Sequence, residues 1–264
     1  MQESMYIAAS AGMVQQRKLE ITSNNLANVG STGFKQDGLV FQEMLTPQSG
    51  DPHLDAPRQV LLPPGLNNQS VSYVGLSGFS TDFSQGAVKF TGNPLDLALE
   101  GDGFFVVDAG EGARYTRKGN FQLDDKNRLV NPEGFPLISR TGKPVTIPPN
   151  LGAVSIDAEG SISVGAGGQS IGVGQLKLVT IEDKSTLVKE GASLFRYTGA
   201  AEIPSSRPKG LTVLQGFVEN ANVNAVAEMV TMIQTLRAFE AMQKLIQSID
   251  DANGQSINNL ARVA

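Results

Sequence analysis

Near the end of the chain, Ala225, Met232, Phe239, Ile246 and Leu260 recur at seven-residue steps, with Asn253 the polar break. Met229, Leu236 and Ile257 lie along one edge of that line, and Met242 and Ile249 along the other. An apolar stripe of this period predicts a long amphipathic helix. If helical from Val223 onward it runs ~60 Å, at about 1.5 Å per residue. A helix of that length cannot bury its stripe against itself, so it needs a partner. At the other end Met5, Gly12, Leu19 and Leu26 also recur at seven, with Ile7, Val14 and Ile21 one step round the same cylinder. Gln15, Gln16, Arg17, Lys18 and Glu20 fill much of the opposite face. The N-terminal stripe offers such a partner, in the same chain or another, and a coiled-coil-like pairing of the terminal helices is the expectation. Two ordinary core helices of one globular domain are the alternative.

The first helix is expected to end near Asn28, where Val29-Gly30-Ser31-Thr32-Gly33 is a breaker cluster with a glycine suited to positive φ. Asn24, Asn25 and Asn28 crowd the last turn, although asparagine competes for backbone groups and is a poor helix former. Their density predicts specific hydrogen bonds. Prolines 47, 52, 57, 63 and 64 then mark a Pro-rich linker at 46–64. From about Thr91 the period falls to two. Leu95, Leu97 and Leu99 alternate with Asp96, Ala98 and Glu100, Gly101-Asp102-Gly103 turns, and Phe104-Phe105-Val106-Val107 reads as a buried strand. Short strands with turn residues between them continue to Tyr197 and predict an antiparallel all-β domain. The fold class expected is therefore α+β. Its parts are an N-terminal helix region (1–36), a linker or extended segment (37–90), a β-rich domain (91–198), a return linker (199–214) and a C-terminal helix (215–264).

Composition narrows the chemistry. Hydrophobic residues make up 40% and charged residues 18% of the 264, so a packed core is possible, and 29 glycines suit a turn-rich middle. A net charge of −5 disfavours nucleic acid or an acidic membrane as main partner. With no cysteine there is no disulfide, thiolate zinc site or cysteine nucleophile. The first residues lack a basic n-region and a clean apolar h-region, so no cleaved export signal is expected, and no apolar run is long enough to insert directly in a membrane. The single histidine, His53, lies in the Pro-rich linker and has no second ligand to complete a metal site. Asn68-Gln69-Ser70 fits a glycosylation sequon weakly. Gly165-Ala166-Gly167-Gly168 does not continue as a dinucleotide motif, and Gly142-Lys143 runs into Pro144 and not a phosphate loop. Asp124-Asp125, Glu182-Asp183 and Asp250-Asp251 read as solvated pairs. Asp125-Lys126-Asn127 starts like a calcium loop without completing one. No catalytic residue, cofactor or metal is expected. Two non-enzyme classes remain: a structural subunit of a filament, or a β-rich binding module with helical oligomerisation arms.

Several motifs in a fixed order carry a resemblance. Asn24-Asn25-Leu26-Ala27-Asn28 followed by Thr32-Gly33-Phe34-Lys35 resembles the N-terminal signature of bacterial flagellar rod and hook proteins. Asn93-Pro94-Leu95-Asp96 with Gly101-Asp102-Gly103-Phe104-Phe105 resembles the entry to their β domain, and Tyr115-Thr116-Arg117, Gly119-Asn120-Phe121 and Leu129-Val130 the hairpin after it. Asn222-Val223-Asn224, Glu228-Met229 and Arg237-Ala238-Phe239-Glu240 resemble the start of their C-terminal helix. Met242-Gln243-Lys244 and Ser248 to Asn253 resemble proximal rod members, with distal rod or hook-type members the alternative. The resemblance implies terminal helices that pair and line an axial tube, and a β domain outside it. It also implies partners among the other rod subunits, a place in the basal body and passage through the flagellar type III export apparatus. Together with the stripes it nominates an assembly interface: Met5, Gly12, Leu19, Asn24, Asn25, Leu26, Asn28, Gly33 and Phe34 at one end. At the other end stand Asn222, Asn224, Met229, Met232, Leu236, Phe239, Met242, Ile246 and Ile249.

Overall fold

A computed structural model describes residues 2–45, 72–149, 152–166, 169–199 and 210–263. The Pro-rich stretch, His53 and Asn68 lie outside the described residues. Helix α1 covers Gln2–Ala27 and helix α2 Ala225–Val263. Between them run β1 (Asp37–Leu45), β2 (Ser72–Thr81), β3 (Val88–Phe90), β4 (Leu97–Glu100), β5 (Phe104–Asp108), β6 (Ala113–Thr116), β7 (Gln122–Leu123) and β8 (Leu129–Val130). They continue as β9 (Ala153–Ile156), β10 (Ser161–Ala166), β11 (Gln169–Gln175), β12 (Leu178–Val179), β13 (Leu187–Gly191), β14 (Leu194–Tyr197), β15 (Thr212–Gln215) and β16 (Phe217–Glu219).

The chain divides into two units. The first comprises Met1–Leu26, Asp37–Thr81 and Ala225–Ala264, and holds both helices and the antiparallel β1–β2 hairpin. The second comprises Ala27–Gln36 and Asp82–Asn224. Its central sheet has the order β12-β5-β6-β14-β13, every neighbouring pair antiparallel. Beside it stand a three-stranded sheet, β11-β10-β9, and the two-stranded pairs β15-β4, β16-β3 and β7-β8.

The four-residue apolar run on β5 forms a strand because both of its faces are covered. Phe105 and Val107 point into a cluster with Leu97, Leu99, Phe121, Leu129, Ile162 and Leu211. Phe104 and Val106 point the other way, against Tyr115, Val179, Leu187 and Phe195. Phe105 meets Phe121 edge-on at 5.3 Å between ring centres, within the range favoured by aromatic quadrupoles. Leu97, Ala98 and Leu99 on β4 are all buried, so the small apolar Ala98 is covered on the strand's other face. Asp96 is buried too, because it organises the turn into β4. It accepts from Thr91 Oγ1 at 2.7 Å and from Asn93 Nδ2 at 3.0 Å.

Two sequence expectations need correction. The long terminal helices exist, but they do not pair as a coiled coil: among the described residues no seam of close backbone approach joins α1 and α2. The stripe on α2 is divided between half-buried and exposed positions, so a seven-residue period described an amphipathic helix without specifying its partner. The stretch ahead of that helix is also not helical. β15 pairs with β4 and β16 with β3, and Leu211 and Val213 join the β core, so the helix begins at Ala225. Asn224 occupies the position before it, where a short polar side chain is preferred, and Glu228 stands in its first turn, where a carboxylate suits the helix dipole.

Phe105 is fully buried at the junction of strand and cluster. Phe105→Ala is expected to lower unfolding free energy by ~3–5 kcal/mol, read from the urea midpoint of the purified protein.

Candidate assembly site

In the β unit, three stretches far apart in sequence converge: 33–36, 82–86 and 219–222. Gly33 leads the chain in. Its φ is 65°, and a Cβ there would strike the backbone of Arg117 and Lys118. Its N–H donates to Glu219 O at 2.7 Å. Phe34 is buried with the Lys189 ammonium 4.2 Å above its ring, and Lys189 Nζ also donates to Lys35 O at 2.7 Å. Asn222 works as a staple. Its Oδ1 accepts from Gln36 N at 2.7 Å, and its Nδ2 donates to Asp82 O at 2.8 Å and to Ser84 Oγ at 3.1 Å.

Under this staple lies a buried ion network. Lys35 Nζ meets Glu219 Oε1 at 2.5 Å, and Arg117 Nη1 meets Glu219 Oε2 at 3.2 Å. The three side chains are 0%, 3% and 1% exposed in the order Lys35, Arg117, Glu219. Lys35 also donates to Ser84 O at 2.7 Å, Gly86 N to Glu219 Oε1 at 2.9 Å and Arg117 Nη2 to Gly101 O at 2.7 Å. Asp102 stands 3.8 Å from Arg117 but is half-exposed. Two buried cations thus share one buried carboxylate. Desolvation pushes the Lys35 pKa below its ordinary 10.5, further lowered by Arg117, and the attraction of Glu219 only partly offsets this.

In the helical unit, Asn25 is buried and captures both backbone groups of Asp37 where β1 begins. Its Nδ2 donates to Asp37 O at 2.9 Å, and its Oδ1 accepts from Asp37 N at 3.0 Å. Asn28 Oδ1 accepts from Ser31 Oγ at 3.2 Å in the turn after α1, and Asn24 is exposed. Gly12 is buried on α1, and Leu19 and Leu26 are half-buried. Met5 lies on α1, with its side chain outside the described ones. On α2, Met232, Phe239, Met242, Ile246 and Ile249 are half-buried, whereas Met229 and Leu236 are 49% and 38% exposed. Asn224 is exposed. The nominated residues therefore fall into two groups: Asn28, Gly33, Phe34, Asn222 and Asn224 belong to the β unit, outside both helices, and the others lie on α1 and α2.

Lys35, Arg117 and Glu219 were not nominated as site residues. One lysine after an aromatic carries no signal that it will be buried. An exposed apolar row on α2 was also missed: Val226, Val230 and Ile233, of which Val226 is 71% and Ile233 52% exposed. Their spacing of four and three was legible, since it is the helical period itself. Among the described residues no group of three or more His, Cys, Asp or Glu is gathered to hold a metal. The carboxylate pairs serve turns or the helix surface: Asp124 Oδ1 accepts from Lys126 N at 2.9 Å and Arg128 N at 2.7 Å, and Asp183 Oδ1 accepts from Ser185 N at 3.1 Å. Asp250 and Asp251 are exposed on α2.

Three family models match in the order of these elements. Residues 5–35 match the model for flagella basal body rod protein, 98–164 the flagellar hook protein FlgE/F/G D1 domain, and 214–260 the flagellar basal body rod FlgEFG protein C-terminal region. The chain is 33% identical over 267 residues to the flagellar basal-body rod protein FlgF of Caulobacter vibrioides, covering 100% of both. The chain belongs to the flagellar basal-body rod protein family. It is also 36% identical over 256 residues to the basal-body rod protein FlgG of Buchnera aphidicola subsp. Schizaphis graminum, covering 94% of this chain and 95% of that one. To FlgG of Bacillus subtilis it is 33% identical over 266 residues, covering 98% and 99%. As a member of this family the chain is a structural subunit of the rod, and its place is the flagellar basal body.

Two outcomes follow from the geometry. Gly33→Ala places a side chain at positive φ and against the neighbouring backbone, and is expected to destabilise the β unit by about 2 kcal/mol or more in urea unfolding. Lys35 gives an alkaline pH dependence. Its folded pKa lies below 10.5, so between the two values the unfolded chain binds more protons and stability rises with pH. Below the folded pKa that contribution is absent, because the buried ammonium stays charged in both states. Urea midpoints measured across the alkaline range should climb for the native chain relative to Lys35→Met, in which this slope is lost.

Proposed function

We propose that this rod subunit belongs to the proximal rod and assembles through its helices with other copies and with neighbouring rod proteins. The observation that carries the reading is the apolar row Val226-Val230-Ile233 on α2, flanked by Met229 and Leu236, which stays exposed in a chain whose relatives are rod proteins. An exposed apolar stripe on a helix seeks a partner surface. Identity to the Caulobacter FlgF along the full length of both chains supports the proximal position. The FlgG relatives keep the distal rod as a second reading, because their identities of 33% and 36% are no lower.

The nominated residues on α1 and α2 are the assembly interface in this reading, with Gly33 and Phe34 holding the chain after α1 and Asn222 holding it ahead of α2. The role is structural and not enzymatic. The subunit reaches its site through the flagellar type III export apparatus, with neither nucleic acid nor direct membrane insertion involved. Among the described residues no helix is long and apolar enough to cross a membrane.

Ile233→Asp tests the reading. The side chain is half-exposed, so the free chain should unfold within about 0.5 kcal/mol of the native midpoint, as surface changes do. In cells the variant should be exported and leave basal bodies without a completed rod, seen by electron microscopy. Normal swimming would overturn the interface. Expressing the native chain in strains lacking either the proximal or the distal rod gene decides the position.

A further inference from the structure

We propose that Glu219 is a folding latch: its carboxylate is the buried anion that two buried cations, one before and one within the β sequence, must both wait for, so the β unit closes only when the stretch ahead of α2 docks. Lys35 comes from the segment that follows α1, and Arg117 follows β6. Glu219 ends β16, the last strand of the chain. Its backbone is drawn in by the same neighbours, since its carbonyl accepts from Gly33 N at 2.7 Å and β16 pairs with β3. Before Glu219 arrives, closure would bury Lys35 and Arg117 beside each other with no buried counter-charge, and a desolvated unpaired charge is strongly unfavourable. Once it arrives, each carboxylate oxygen takes one cation, and Oε1 takes Gly86 N as well.

The three side chains are not equivalent in this arrangement. Removing Lys35 leaves balanced groups: Glu219 keeps Arg117 and Gly86 N, and Ser84 O keeps Asn222 Nδ2 at 3.3 Å. Glu219→Gln preserves the size but turns one oxygen into an amide donor, which must face either the lysine ammonium or the guanidinium. The carboxylate therefore acts as the switch, and Lys35 is dispensable by comparison. For a subunit exported unfolded, which rests on the export reading above, such a latch would hold the β unit open until its last strand has emerged.

The test uses the full-length chain and hydrogen exchange. In Glu219→Gln, amides of β3, β5 and β6 are expected to lose protection together, exchanging ~100-fold faster or more. Lys35→Met should keep native protection at neutral pH, and the double variant Lys35→Met/Glu219→Gln should recover part of what Glu219→Gln loses, because one buried cation is gone. A merely packing role predicts no such rescue. Native protection in Glu219→Gln would overturn the latch. So would loss confined to residues 33–36 with β5 and β6 unchanged, or a double variant no better protected than Glu219→Gln alone.

Discussion

One buried carboxylate shared by two buried cations organises the β unit. Glu219 is the buried meeting point of a segment that precedes all the strands, Lys35, and a segment in their midst, Arg117. Burial raises the cost of any geometry in which these groups fail to meet, because the same low dielectric that strengthens the pair penalises an unpaired charge. Replacement by apolar residues of similar size can be neutral in stability, so the network is better understood as specifying which arrangement forms than as adding to its strength. Asn222 and Gly33 belong to the same device. One ties backbone groups of residues 36 and 82, and the other accepts a conformation and a closeness that a Cβ would forbid.

The β architecture was legible in the sequence where local chemistry decides it. The Phe104–Val107 run could only be a strand covered on both faces, and the Gly101 and Gly134 turns both have positive φ, at 103° and 89°. What local pattern could not reach was pairing over long distances. β15 and β16 are short, and their partners, β4 and β3, lie more than a hundred residues earlier, so nothing in their own neighbourhood marked them as strands. Lys35 was hidden for the same reason: its burial is decided by residue 219. The pairing of the terminal helices failed for the opposite reason. Both stripes are real, but periodicity reports that a face is apolar, not which surface covers it.

Among the nominated residues, the local roles of Asn25, Asn28 and Gly33 were legible because their types are awkward for a helix and useful at its exit. Asn25 fulfils that reading in full, bonding both backbone groups of Asp37. The half-buried and exposed sides of α2 were not separable from sequence. Phe239 and Ile233 are equally apolar, and only the folded chain distinguishes a residue with intramolecular cover from one largely without it.

That distinction bears on how a rod subunit can stay apart from its copies before assembly and yet hold firmly within the rod. Burying the exposed remainder of a side chain such as Val230 or Ile233 gains on the order of 1 kcal/mol. Five such residues on one helix face therefore yield a few kcal/mol in gross terms. Association of two chains loses an estimated 4–15 kcal/mol of translational and rotational freedom, so a single pair joined by this face alone is at best marginal. In the proposed reading, a subunit joining the rod loses that freedom once and meets several neighbours, so that each further contact is made at high effective concentration. Read as the proposed interface, a modest stripe is thus suited to contact with several neighbours at once, whereas a stripe strong enough to hold a dimer would also hold chains together before they reach the rod.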